Sequence, residues 1–161
     1  EIVVTSKDTA GSDMPQFTVE GVIEAPPSKV WPAVYDCDNY SRWYSSLKSS
    51  KLLSKSGNTW VCQEEAKMPF PFGNLDAKVR VKLETSKGRW VREWTMIEGD
   101  YDRNEGRCVL TEFEGDENKT LVQYTVIADP KVAVPDAMME SGTKKRLPRI
   151  VEDLRAEAAR R

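Results

Sequence analysis

Between Leu47 and Ala128 the chain reads as one strand after another, joined by local turn signals. The segments 49–55, 59–66, 74–85, 89–97, 107–114 and 120–128 are rich in β-formers. Ser56-Gly57-Asn58, Ser86-Lys87-Gly88 and Gly115-Asp116-Glu117-Asn118 supply turn formers between them. Short links cannot carry a parallel crossover, so neighbouring strands must run antiparallel. Along 74–85, Ala77, Val79, Val81 and Leu83 alternate with Asp76, Lys78, Arg80 and Lys82. One face of the sheet is therefore apolar and the other meets water. A sheet with one apolar face needs a cover.

The cover comes last. After Asp129-Pro130 the pattern turns helical, with Met139, Thr143, Leu147, Ile150 and Leu154 on one stripe. A helix over 135–160 is about 39 Å long, enough to cross a whole sheet. Gly142 and Thr143 place small residues in mid-stripe, which leaves room between helix and sheet. Pro148 lies on the opposite side and should kink the helix by removing a backbone bond. At the other end, Ile2 to Thr5 is a short β-rich run. Phe17, Val19, Gly21 and Ile23 then mark a strand buried on one face and ended by Pro26-Pro27. Ser28 is placed to cap a short helix carrying Val30, Trp31, Val34 and Tyr35, with Pro32 in its first turn. Asp38 or Asn39 starts a second short helix with Tyr40, Trp43 and Tyr44.

The chain has 161 residues and 18.3 kDa, which suits one domain over 1–161. With 39% hydrophobic and 31% charged residues it has the composition of a folded, soluble protein. A net charge of -2 and a pI near 5.4 argue against general nucleic-acid binding. No apolar run approaches the roughly 20 residues of a membrane span. The first residue is Glu1, so a leader removed before it would leave no trace. The sequence does not distinguish a cytoplasmic from a bacterial periplasmic setting. Histidine is absent, which removes the commonest general base and zinc ligand, and with them a Ser-His-Asp hydrolase. Neither a metal nor another cofactor is expected. Cys37, Cys62 and Cys108 are widely spaced and read as small buried residues, with one bridge left open.

The order of strand, two short helices, antiparallel sheet and long terminal helix resembles the START-like superfamily, also called SRPBCC or Bet v 1-like. "VEGVIEAPPSKVWPAVYDCDNYSRW" is similar to its opening strand, proline pair, first helix and Asp-x-x-x-Tyr-x-x-Trp turn, here Asp36, Tyr40 and Trp43. "GNLDAKVRVKL" resembles the strand that follows a proline-rich loop in bacterial START domains. "LVQYTVIADP" and "KKRLPRIVEDLR" resemble the last strand and the terminal helix. Bacterial START relatives often carry an Asp-Arg-Asp cluster where this chain has Asn74, Leu75 and Asp76. The resemblance implies an α+β helix-grip fold, a curved antiparallel sheet of about seven strands gripping the C-terminal helix. It also implies an apolar cavity between them for a lipid, sterol, quinone or polyketide-like molecule.

The candidate lining residues are Trp94, Met96, Leu110, Tyr124, Met139, Thr143 and Leu147, with Phe70 and Phe72 near an entrance held stiff by Pro69 and Pro71. Each could equally fill a solid core. Arg92 shares a strand face with Trp94. It either reaches solvent at the strand end or, if buried, needs a carboxylate or a ligand anion, with Glu112 the leading partner. The implied function is carriage or transfer of a hydrophobic small molecule, with no catalytic residue assigned. A polyketide cyclase or aromatase using the same cavity is the alternative, with Tyr124 and Glu112 as proton carriers. A ribosome- or quinone-associated interaction protein of the same fold is the third reading. Lys144, Lys145 and Arg146, with Lys48, Lys51 and Lys55, are a solvated face or a surface for transient contact with an anionic membrane. The oligomeric state is not legible.

Overall fold

A computed structural model describes residues 1–68 and 72–161. Strands β1 (Val3–Lys7), β2 (Gln16–Ile23), β3 (Leu47–Ser56), β4 (Thr59–Ala66), β5 (Leu75–Ser86), β6 (Arg89–Gly99), β7 (Tyr101–Phe113) and β8 (Asp116–Pro130) form one sheet. Their spatial order is β1-β2-β8-β7-β6-β5-β4-β3, and every pairing is antiparallel. The sheet thus holds 8 strands where about seven were expected. The added one is the run at the N-terminus, which joins the edge by pairing Val4 with Val19.

Strand β7 starts at Tyr101, six positions before the apolar pattern begins. Tyr101 pairs with Pro130 and Asn104 with Ala128, so a charged stretch is drawn into the sheet by its partner strand. Helix α1 (Pro27–Tyr35) departs from expectation at its start. Pro26 is the N-cap, Pro27 is the first helical residue and Ser28 makes no capping bond. Pro32 lies inside the helix rather than in its first turn. A 3-10 turn at Cys37–Asn39 leads into helix α2 (Tyr40–Trp43). Asp38 caps nothing there; its Oδ1 accepts the Leu52 N–H at 2.7 Å and ties the turn to β3. A disulfide joins Cys37 to Cys62 on β4, while Cys108 is buried and free.

The covering helix α3 (Asp136–Arg160) runs unbroken through Pro148. Its two halves meet the sheet differently. In the C-terminal half Ile150, Val151, Leu154 and Ala158 are buried in a core shared with β2 and α1. The approach is close: a Cβ on Gly21 of β2 would sit 2.7 Å from Val151 Cγ1. Arg155 Nε adds a hydrogen bond to the Val22 carbonyl at 2.9 Å. In the N-terminal half Thr143 is half-buried and folds its hydroxyl back on the Met139 carbonyl at 2.8 Å. A Cβ on Gly142 would touch nothing within 4 Å. The helix is seated at one end and stands away from the sheet at the other.

Two consequences are measurable by urea denaturation. Gly21→Ala forces Val151 to move and should cost about 1–3 kcal/mol, the usual range for overpacking. The Cys37→Ser/Cys62→Ser double variant opens a covalent loop spanning a separation of 25 residues. The chain-entropy relation puts its loss at about 3.5 kcal/mol. A double variant as stable as the parent would show that the unfolded chain gains nothing from the opened loop.

Candidate functional site

The gap under the N-terminal half of α3 is a cavity of about 150 Å³, walled by the apolar face of the sheet and by α3. A second chamber of about 50 Å³ lies further in, beneath α2. Tyr44, Glu64, Arg92, Tyr124 and Ile150 border both. The outer chamber meets the surface beside Lys67, which is exposed at the end of β4. Arg146 of α3 stands there, its Nη1 on Met68 Sδ at 3.7 Å and its Nη2 on Thr143 Oγ1 at 3.5 Å.

Of the residues singled out from sequence, Arg92, Trp94, Tyr124, Met139, Thr143 and Leu147 line the outer chamber. Trp94 and Tyr124 pack at 5.3 Å between ring centroids, and Trp94 Nε1 donates to Asn104 Oδ1 at 3.1 Å. Leu110 is fully buried in the core around α1 and α3, where it fills space. Met96 packs half-buried against the second core, around β4, β5 and β6. Phe72 is half-buried and is not among the lining residues. Phe70, with Pro69 and Pro71, lies outside the described residues.

The pairing of Arg92 with Glu112 is not what the structure holds. Arg92 is 6% exposed, so it does not reach solvent either, and its cross-strand neighbour on β7 is Cys108. Glu112 is four positions further along β7, roughly 13 Å away at strand rise, and is exposed. The carboxylate that faces Arg92 across the chambers is Glu64 on β4. Its position was readable: Trp60, Cys62, Glu64 and Ala66 alternate on one face of β4, and the first two are buried. Tyr44, Tyr101 and Met68 also border the cavity without having been singled out, since single aromatics near turns carry no periodic signal.

Arg92 lies against two rings, with its guanidinium carbon 5.0 Å from the Tyr40 centroid and 5.2 Å from that of Trp94. Among the described residues its Nε and Nη2 are buried and have no hydrogen-bond partner. The titratable groups around it resist ionisation. Burial raises the Glu64 carboxyl, against the opposing pull of Arg92. Burial pushes the Cys108 thiol up to about 12 and the Tyr44 phenol up to about 12, and it holds Tyr124 well above the usual tyrosine range. Near neutral pH the phenols and the Cys108 thiol are uncharged, and Arg92 is the buried positive charge of the chambers, with Lys67 and Arg146 at the outer one. Among the described residues no cluster of His, Cys, Asp and Glu could hold a metal ion. No helix among them is long and apolar enough to cross a membrane.

Comparison with solved structures finds this architecture repeatedly. Human StAR-related lipid transfer protein 5 superposes with a TM-score of 0.87 at 13% identity, over 99% of this chain and 82% of that one. A STAR-related lipid transfer protein from Xanthomonas axonopodis gives 0.85 at 16%, covering 98% and 93%. The Zhui aromatase/cyclase from Streptomyces sp. R1128 gives 0.73 at 14%, covering 100% and 96%. At such identities the likeness is one of fold, the START helix-grip. No curated protein sequence matches the chain. The family model described as "Polyketide cyclase / dehydrase and lipid transport" matches residues 23–155, most of the sheet and nearly all of α3. The chain belongs to that START-like family.

Proposed function

We propose that the protein binds a hydrophobic small molecule between the sheet and α3, for carriage or transfer. The observation that supports this reading is the cavity itself, an apolar space left where α3 stands off the sheet and open to the surface beside Lys67. Affinity would come from desolvation, about 25 cal/mol per Å² of apolar area removed from water. Transient contact with an anionic membrane would rest on Lys144 and Lys145, both exposed on α3. Lys48 and Lys55 are engaged elsewhere, Lys48 with Glu65 at 4.0 Å and Lys55 4.6 Å over the Trp60 ring, while Lys51 is exposed on β3. The Cys37–Cys62 bridge favours an oxidising compartment.

A catalytic reading keeps one specific support. Glu64 is a carboxyl that burial inclines to hold its proton, in the same cavity as Arg92 and Tyr124. Such a group can pass a proton to a folded polyketide. Product formation from a linear polyketide mimic, abolished by Glu64→Gln, would favour the enzyme.

Native mass spectrometry followed by organic extraction should recover a bound amphiphile or apolar molecule. Thr143→Trp drives an indole into the outer chamber from α3 and should weaken ligand binding at least about tenfold, or about 1.4 kcal/mol. Calorimetric titration checks this, and unchanged affinity would move the site elsewhere. Lys144→Glu/Lys145→Glu should slow ligand transfer to anionic vesicles severalfold and leave transfer to neutral vesicles unchanged. Equal slowing with both vesicle types would remove the membrane role.

A further inference from the structure

The cavity walls hold an uncompensated demand for a hydrogen-bonding anion. Nε and Nη2 lie on the same edge of the Arg92 guanidinium, and both are buried without a partner among the described residues. An arginine edge with two parallel N–H donors matches a carboxylate or a phosphate that accepts both bonds at once, and the singly charged carboxylate costs less to take out of water. Leaving such donors unsatisfied in an apolar wall is costly, and native proteins seldom do so without a reason.

No group of the chain among the described residues meets that demand. Tyr40 and Trp94 approach the guanidinium carbon to 5.0 and 5.2 Å from their ring centroids, contacts that supply no hydrogen-bond acceptor to its N–H groups. The Tyr40 hydroxyl donates to the Val34 carbonyl, so it is committed elsewhere. Cys108 and Tyr124 remain neutral near pH 7. Glu64 stands on β4, with β5 between it and β6, and makes no ion pair with Arg92. Burial raises its carboxyl above the usual range, against the opposing pull of Arg92.

We propose that the molecule taken up by this site is a compact amphiphile with a carboxylate head, bound by the Nε–Nη2 edge of Arg92, and an apolar body in the outer chamber. This rests on the binding reading above and names the chemical class within it. Size follows from the space. A cavity of about 150 Å³ with an annex of about 50 Å³ suits a single short chain or ring. An engineered apolar cavity of about 150 Å³ accommodates benzene. A two-chain lipid exceeds that space.

Calorimetric titration with octanoate, 1-octanol and octyl phosphate at pH 7.5 separates the outcomes. Octanoate should bind at least about tenfold more tightly than 1-octanol, the worth of one charge-assisted pair. Arg92→Gln should erase that difference. A measurement on the unaltered protein guards against a variant that fails to fold. In carbon-13 spectra of carboxyl-labelled octanoate, the bound head should stay ionised to a lower pH than the free acid. Equal affinity for octanoate and 1-octanol, or a bound carboxyl that titrates like the free one, overturns the carboxylate assignment and leaves the apolar site standing. Tighter binding of octyl phosphate overturns it in favour of a phosphate head. Failure of all three probes to bind overturns both this assignment and the binding reading.

Discussion

The seating of α3 on β2 sets the geometry of everything above the sheet. Val151 packs into the space that Gly21 leaves by having no side chain, and the Arg155 guanidinium bonds the next carbonyl along the strand. Burial of Ile150, Val151 and Leu154 then stabilises that end by roughly 1.5–3 kcal/mol per side chain. A stiff helix fixed at one end has its other end placed for it. With Gly142 and Thr143 in the stripe, the N-terminal half cannot fill the distance to β4 and β5, and the remaining space is the cavity. The same helix therefore closes the core and leaves the site open.

The inner wall is secured by a second device. Cys37 opens the segment that carries Tyr40, Trp43 and Tyr44 over the inner chamber, and Cys62 lies two residues before Glu64. The disulfide thus ties the aromatic wall to the strand that presents the carboxyl. Near them Arg92, a group that stays charged at any ordinary pH, lies 5.0 and 5.2 Å from the electron-rich Tyr40 and Trp94 rings. Ring contacts stabilise the cation without satisfying its N–H groups, which makes the cavity apolar in area yet specific in chemistry.

Much of the fold was legible because it rests on period and punctuation. Alternation along β5, the turn residues between strands and the stripe on α3 are local signals, and the elements lie where those signals put them. The discrepancies have physical causes. At 101–106 the chain has no apolar alternation, and its strand exists because β8 supplies partners. Pro26 and Pro27 start α1 through their fixed φ, so the serine after them has no capping role. Within the site, periodicity put Arg92 and Trp94 on one face but could not say which carboxylate stood opposite. Glu64 comes from two strands away in space, and Glu112 is excluded by its position along β7.

The sequence by itself determined the architecture: short links make the sheet antiparallel, its alternation gives it one apolar face, and only the terminal helix is long enough to cover that face. It also determined that small residues would sit in the helix stripe. Tertiary structure decided where the helix touches and where it stands off, which two cysteines meet, and that Arg92 is buried with two N–H donors unmet. The reason is one of range. Periodicity and turn chemistry act over a few neighbouring residues, whereas distances between strands, charges and sulfurs far apart in the chain exist only once the sheet has closed around the helix.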